Sequence, residues 1–237
     1  MKVGLFIPCY IDQFYPQVGI ATLQLLEKLG VEVRFPTGQV CCGQPMANAG
    51  FEHLTPLCRT NFLKNFSEFH YVVCPSGSCT LHLKEQLHGE PLGRKVFELT
   101  EFLTDVLQIN ELHARFPHRV GLHQSCHGLR GLGLASMSER VAPHFSKPRQ
   151  LLGLVAGIEL VDLKLPDECC GFGGSFSVTE EAVSSKMGID RVTDHEQSGA
   201  EYITSADMSC LMHLEGIIRK RQRPLRVIHL AEILNAS

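Results

Sequence analysis

Residues 3–9, Val3-Gly4-Leu5-Phe6-Ile7-Pro8-Cys9, return as Val120-Gly121-Leu122-His123-Gln124-Ser125-Cys126, and that return decides the fold. Three further landmarks recur in the same order. Cys41-Cys42-Gly43 comes back as Cys169-Cys170-Gly171, Tyr71 through Ser78-Cys79 as Tyr202 through Ser209-Cys210, and Lys95 through Leu103 as Arg226 through Leu234. A duplication of this length makes each half one structural unit. The offsets are 117, 128, 131 and 131, so the copies differ mainly by insertions between the first cysteine and the double cysteine, which belong in surface loops. The polar, proline-bearing stretch His113–His118 marks the boundary, giving repeats at 1–117 and 118–237.

Within each copy short apolar runs alternate with helical patterns, the signature of βαβ units. The expected fold class is α/β: two tandem Rossmann-like units with mostly parallel sheets and cysteine loops at the strand C-terminal ends. In the first copy a strand is expected to end at Cys9. A helix carrying Val18, Leu23, Leu26 and Leu29 should stop at Gly30, before a strand over 31–35 and a helix bearing Leu54, Cys58, Phe62 and Phe66. The second copy offers Ser146 as an N-cap with Pro148 early in the helix, a strand over 158–163, and Thr179 as the cap of a helix opening with Glu180 and Glu181.

The 237 residues are 44% hydrophobic and 20% charged, with a net charge of −3. No apolar run approaches the roughly 18 residues of a membrane span. Nucleic acid is not an expected partner, because the one basic run, Arg219 to Arg226, reads as solvated cations closing a helix. The N-terminus has no cationic lead or cleavage site. Ten cysteines without a secretory signal point to a cytoplasmic setting, where thiols serve as metal ligands or redox groups.

In both copies a cysteine closes the first strand, a Cys-Cys-Gly follows the second and a Ser-Cys follows the third. Loops beyond the strand C-termini of a parallel sheet converge, so the four thiols of a copy should meet in one pocket. Thiolates suit iron–sulfur clusters, zinc or copper(I). Gly43 and Gly171-Phe172-Gly173-Gly174 let backbone N–H groups face an anion there. The spans between cysteines are far longer than zinc-finger spacing, and duplicated sites suit an electron relay; a cluster is therefore expected, with zinc as the alternative. Cys58 falls on an apolar helix stripe and reads as packing, while Cys74 is open between packing and the site. His123 and His127 flank Cys126 and read as satisfied loop histidines, the alternatives being cluster tuning or proton acceptance.

Cys41-Cys42-Gly43-Gln44-Pro45, Pro75-Ser76-Gly77-Ser78-Cys79, Cys169 through Gly174 and Ala206-Asp207-Met208-Ser209-Cys210 resemble the cysteine-rich CCG family, found in the B subunit of heterodisulfide reductase and the iron–sulfur subunit of glycolate oxidase. The two-copy length is similar to the lactate-utilisation A group within it. The resemblance implies a cytoplasmic oxidoreductase subunit that works with a ferredoxin-like iron–sulfur protein and a smaller third protein, without flavin, in oxidising L-lactate to pyruvate. It implies that Cys9, Cys41, Cys42 and Cys79 hold one cluster and Cys126, Cys169, Cys170 and Cys210 another. The broader pattern ends in Cys-x-x-Cys, but the earlier position is Ser76 in one copy and Asp207 in the other. Four thiolates favour an ordinary [4Fe–4S] cluster in each copy. Asp207 is expected to cap a helix, with an oxygen ligand as the alternative.

The sequence carries no dinucleotide fingerprint, no serine-nucleophile elbow and no convincing carboxylate pair. Electron transfer is thus the leading expectation. A catalytic subunit, including one with thiol/disulfide chemistry like heterodisulfide reductase, and a zinc-stabilised scaffold are the alternatives.

Overall fold

The computed structural model describes residues 1–141 and 143–236; Ala142 and Ser237, both within the expected second repeat, lie outside the described residues. Strands β1 (Lys2–Leu5), β2 (Glu32–Arg34), β3 (Tyr71–Cys74) and β4 (Val96–Glu98) form one sheet in the order β2-β1-β3-β4. Strands β5 (Arg119–Leu122), β6 (Glu159–Val161), β7 (Tyr202–Ser205) and β8 (Arg226–His229) form a second in the order β6-β5-β7-β8. Every pairing is parallel, and the registers correspond: Val3 faces Val33 and Tyr71, as Val120 faces Leu160 and Tyr202. Val3, Leu5, Val72, Val73, Val120 and Ile203 of the central strands are buried, because helices cover parallel sheets on both faces. Two Rossmann-like α/β units are therefore present, as the alternation implied.

The chain order reverses between β1 and β3, and between β5 and β7. At such switch points the following loops diverge to opposite faces and leave a crevice.

The repeats share a single core. The helix Leu230–Leu234, last in the second repeat, packs on Pro16–Lys28 of the first; the helical segment 99–106, last in the first, packs on Lys147–Leu152 of the second. Leu25, Leu26, Leu103, Leu151, Ile233 and Leu234 are all buried in one continuous apolar cluster. Two hydrogen bonds lock the edge, from Lys28 Nζ to the Asn235 carbonyl (3.1 Å) and from Asn235 Nδ2 to Gln24 Oε1 (2.9 Å). Ser76 and Asp207, which hold equivalent places in the two copies, meet in an antiparallel bridge where the repeats abut.

Several expected boundaries shift. Strand β1 stops at Leu5, not Cys9, because β2 ends opposite Gly4; beyond it the Gln39 side chain stands in for a strand, accepting from Ile7 N and donating to the Leu5 carbonyl. Cys9 opens the helix Cys9–Phe14. Leu29 lies one residue past Pro16–Lys28, and exposed Leu54 precedes the helix Pro56–Phe66. Ser146 is the N-cap expected, its hydroxyl accepting from Arg149 N. Thr179 is not a cap: its hydroxyl donates back to the Ser175 carbonyl inside the short turn Phe176–Thr179, and the long helix Glu181–Gln197 starts after Glu180. Residues 132–141 and 143–146 lie in the stretch where the second copy is longer, and most of them are exposed. Among the described residues no helix is long and apolar enough to cross a membrane. Of the basic run, Arg219 and Arg223 pair with Glu215 and Glu196.

Candidate metal centre

Each cysteine of the expected sets is delivered by local structure at a strand end. Cys9 follows β1 and Cys126 follows β5; Cys41-Cys42 and Cys169-Cys170 lie in the loops after β2 and β6. Cys79 sits in the first turn of the helix Gly77–Gln86, and Cys210 in the first turn of Met208–Arg221. The double-cysteine loops turn on glycines with positive φ, Gly43 at +95° and Gly171 at +87°. A Cβ at Gly171 would lie 2.7 Å from the Ser184 carbonyl oxygen, so neither conformation nor space admits a side chain there.

The sulfurs of each set form a chain in the same order, Cys9–Cys41–Cys42–Cys79 and Cys126–Cys169–Cys170–Cys210. Cys42 Sγ is 3.4 Å from Cys79 Sγ. The N–H groups of Gly43, Gly171 and Phe172 point at Cys41, Cys169 and Cys170 Sγ at 3.4, 3.4 and 3.5 Å. Neighbouring thiols with these N–H groups hold Cys41 and Cys169 far below the ordinary thiol range: the Cys42 and Cys9 thiols act on the first, the Cys126 and Cys170 thiols on the second. The same contacts, with burial, push Cys9, Cys42, Cys126 and Cys170 up. A bound metal would take the place of the protons on its thiol ligands. Four soft sulfurs with aimed amide donors fit an iron–sulfur cluster, and zinc would accept the same donor set.

All eight sulfurs open onto one cavity. It measures about 440 Å³ and runs between the repeats, where each set was expected to form its own pocket. Among the described residues that line it there is no lysine, arginine, aspartate or glutamate. A more open hollow of about 660 Å³ beside Asp162 and Asp167 gathers no cysteine.

Between the two sets lies a buried polar knot. Asp207 caps Met208–Arg221 by accepting from Ser209 N and Oγ, and also accepts from Ser78 N (2.8 Å) at the start of the opposing helix Gly77–Gln86. One carboxylate thus serves two helix N-termini, whose dipoles both favour its charge. The Tyr10 hydroxyl donates to Asp207 Oδ1 (3.3 Å) and lies 3.2 Å from Ser76 Oγ, which accepts from Cys79 N. Asp207 is therefore the expected cap, and a double one.

The remaining expected residues separate. Cys58 is part-buried against the Gly43 turn, and Cys74 is buried at the end of β3; neither lines the cavity. His127 lines it. His123 does not match its expectation as a satisfied loop residue. It directly follows β5, is buried, and neither ring nitrogen has a hydrogen-bond partner among the described residues. A ring nitrogen lies within 4.8 Å of both Cys170 Sγ and Cys210 Sγ. Burial and the nearby Arg191 guanidinium lower its pKa to about 4, so the ring is neutral at pH 7 and presents a lone pair.

The cysteine-rich domain family known as CCG matches residues 3–84 and 120–215, one match per repeat. Proteins named lactate utilization protein A resemble the whole chain. The one from Geobacillus kaustophilus is 41% identical, covering 100% of this chain and 99% of its own length, and the one from Bacillus subtilis is 38% identical over 100% of both. Among solved structures, a glutamate racemase from Bacillus anthracis covers 99% of this chain and 78% of its own at 10% identity and a TM-score of 0.35, too distant to inform the site. Duplicated matches that enclose all eight converging cysteines, together with relatives alike from end to end, place this chain in the cysteine-rich CCG family.

Proposed function

We propose that this chain is the iron–sulfur electron-transfer subunit of a system that oxidises L-lactate to pyruvate. In this reading the repeats 1–117 and 118–237 each contribute one four-cysteine centre: Cys9, Cys41, Cys42 and Cys79 in the first, Cys126, Cys169, Cys170 and Cys210 in the second. When bound, two [4Fe–4S] clusters would supply two one-electron carriers, matching the two electrons released with two protons per lactate. The substrate assignment is taken from the relatives' name, lactate utilization protein A.

The observation that carries the electron-transfer reading is the character of the shared cavity. Eight sulfurs line it, yet no arginine or lysine among its described residues is available to receive a carboxylate. The helix N-termini that could replace such a cation are already engaged, Ser78 N and Ser209 N by Asp207 and Cys79 N by Ser76. Lactate, an anion, therefore meets no lysine or arginine among these lining residues, and in this reading its oxidation belongs on another component. The resemblance to the lactate-utilisation A group supplies candidates for it: a ferredoxin-like iron–sulfur protein and a smaller third protein.

One observation favours a second reading, in which this chain binds the substrate itself: the cavity is large enough for a small molecule between the two centres. The test is to mix anaerobic, iron-loaded chain with L-lactate and follow the visible absorbance, alone and with the two candidate partners. Bleaching only with partners is expected. Bleaching of the isolated chain favours the second reading, and no bleaching in either mixture removes the lactate assignment.

A further inference from the structure

The two repeats provide an internal comparison, since corresponding positions in one molecule experience corresponding packing. Phe6 and His123 occupy the same place, each donating its backbone N–H to the neighbouring central strand, at the Val73 carbonyl (2.9 Å) and the Thr204 carbonyl (2.7 Å). Gly4 and Gly121 are likewise equivalent; a Cβ on the first would strike Phe66, and on the second His195. Phe66 and His195 are therefore counterparts, and one turn earlier on the same helices so are Phe62 and Arg191.

Behind the first cysteine set these positions make an aromatic cluster, Phe6 lying 5.4 Å from Phe62 and 5.7 Å from Phe66 between ring centroids. Behind the second set the same volume holds His123, Arg191 and His195, all buried. Arg191 pairs with Asp194 and donates to the Leu165 carbonyl, but its Nε and both nitrogens of each histidine have no partner among the described residues. Each such group is desolvated without a compensating hydrogen bond, a cost that an apolar residue of similar shape would not carry. The first repeat shows that the fold accepts that apolar solution, so the cost in the second is not a requirement of packing.

The unpartnered group nearest the sulfurs is His123, with a ring nitrogen within 4.8 Å of the two buried thiols, Cys170 and Cys210. The ring of His195 stands behind it, 6.5 Å away between centroids. We propose that His123 donates a ring nitrogen to an iron of the second repeat's centre in place of one of these two thiolates, so that the two centres differ: sulfur alone in the first, sulfur with nitrogen in the second. This rests on the reading of the quartets as cluster sites. A neutral imidazole at an iron raises the reduction potential relative to thiolate alone. Electrons accordingly run from the first repeat to the second.

The experiment is pulsed electron paramagnetic resonance on the anaerobically iron-loaded full chain during stepwise reduction. One centre, and the one reduced first, should carry a strongly coupled nitrogen that changes on growth with ¹⁵N-histidine and vanishes in His123→Phe. His127→Ala and His213→Ala, which remove two other histidines near this set, one on the cavity lining and one on the helix Met208–Arg221, should retain it. Phe6→His is the reciprocal variant, and should bring a like coupling to the first centre. Labelling of the unsubstituted chain decides the matter even if a variant fails to fold. Only weak peptide nitrogens, insensitive to histidine labelling, would overturn the proposal; a nitrogen-coupled centre that is reduced second would overturn the direction of transfer. A chain that incorporates no iron and sulfide defeats the cluster reading itself. The nitrogen donor is then judged by the same coupling on the cobalt(II)-loaded chain, where its absence overturns the inference.

Discussion

Asp207 shows how one side chain can join two repeats. Its carboxylate accepts hydrogen bonds from both opposing helix N-termini and from Tyr10, and the site is fully buried. In Asp207→Asn the amide would point a donor at one of these donors, leaving buried groups unpaired. A loss of about 1–3 kcal/mol is expected, read as a lower denaturant midpoint in anaerobic, reducing buffer; an unchanged midpoint would show that the double cap contributes little. The eight cysteines were legible in the sequence because each recurs in an ordered frame, and Asp207 as a cap because it precedes a helix by the usual spacing. His123 was misjudged for a physical reason. A histidine between a strand and a cysteine ordinarily finds a loop partner, and only its equivalence with Phe6 reveals that it takes up a core position.

At the scale of elements, the helix at the end of each repeat begins with a capping box, but the cap is Glu98 in one and His229 in the other. Glu98 is fully buried. Its Oε2 accepts from Thr100 N, Thr100 Oγ1 and Glu101 N, while its Oε1 has no partner among the described residues. Burial outweighs these donors and pushes the carboxyl up from 4.5 to about 7; the titratable neighbours are Glu101, paired with Lys84, and the buried Cys74. Because the folded state holds this proton more tightly than the unfolded one, its contribution is complete below about pH 4.5 and is lost as pH rises through about 7. At about 1.4 kcal/mol per pKa unit the loss amounts to a few kcal/mol. Denaturant midpoints across pH 4.5–8 should fall for the native chain relative to Glu98→Gln, and parallel profiles would remove Glu98 as the cause. Boundaries of elements were less legible than the elements themselves. Thr179 and Glu180 have the composition of a helix start, but the hydroxyl is used by the turn before it, and the end of β1 depends on Gln39, more than thirty residues away.

For the whole molecule, the sequence showed what each repeat contains but not how the repeats face one another. Pairing surfaces is a property of two units together, so the exchanged terminal helices and the common cavity had no local signature. That arrangement has a thermodynamic consequence. Since each last helix buries its apolar face on the other repeat, neither unit has a complete core alone, and the metal-free chain should unfold in a single transition, coincident by circular dichroism and tyrosine fluorescence. Two separated transitions would contradict the shared core. The central claim is that two four-cysteine centres, one from each repeat, hold iron–sulfur clusters across one cavity. Its most direct test is iron and acid-labile sulfide per chain after anaerobic purification and reconstitution, for the native protein, Cys42→Ser and Cys170→Ser. About eight of each are predicted for the native chain, falling to about four in either variant, with brown colour that dithionite bleaches; a colourless chain that binds about two zinc ions and no sulfide would contradict it.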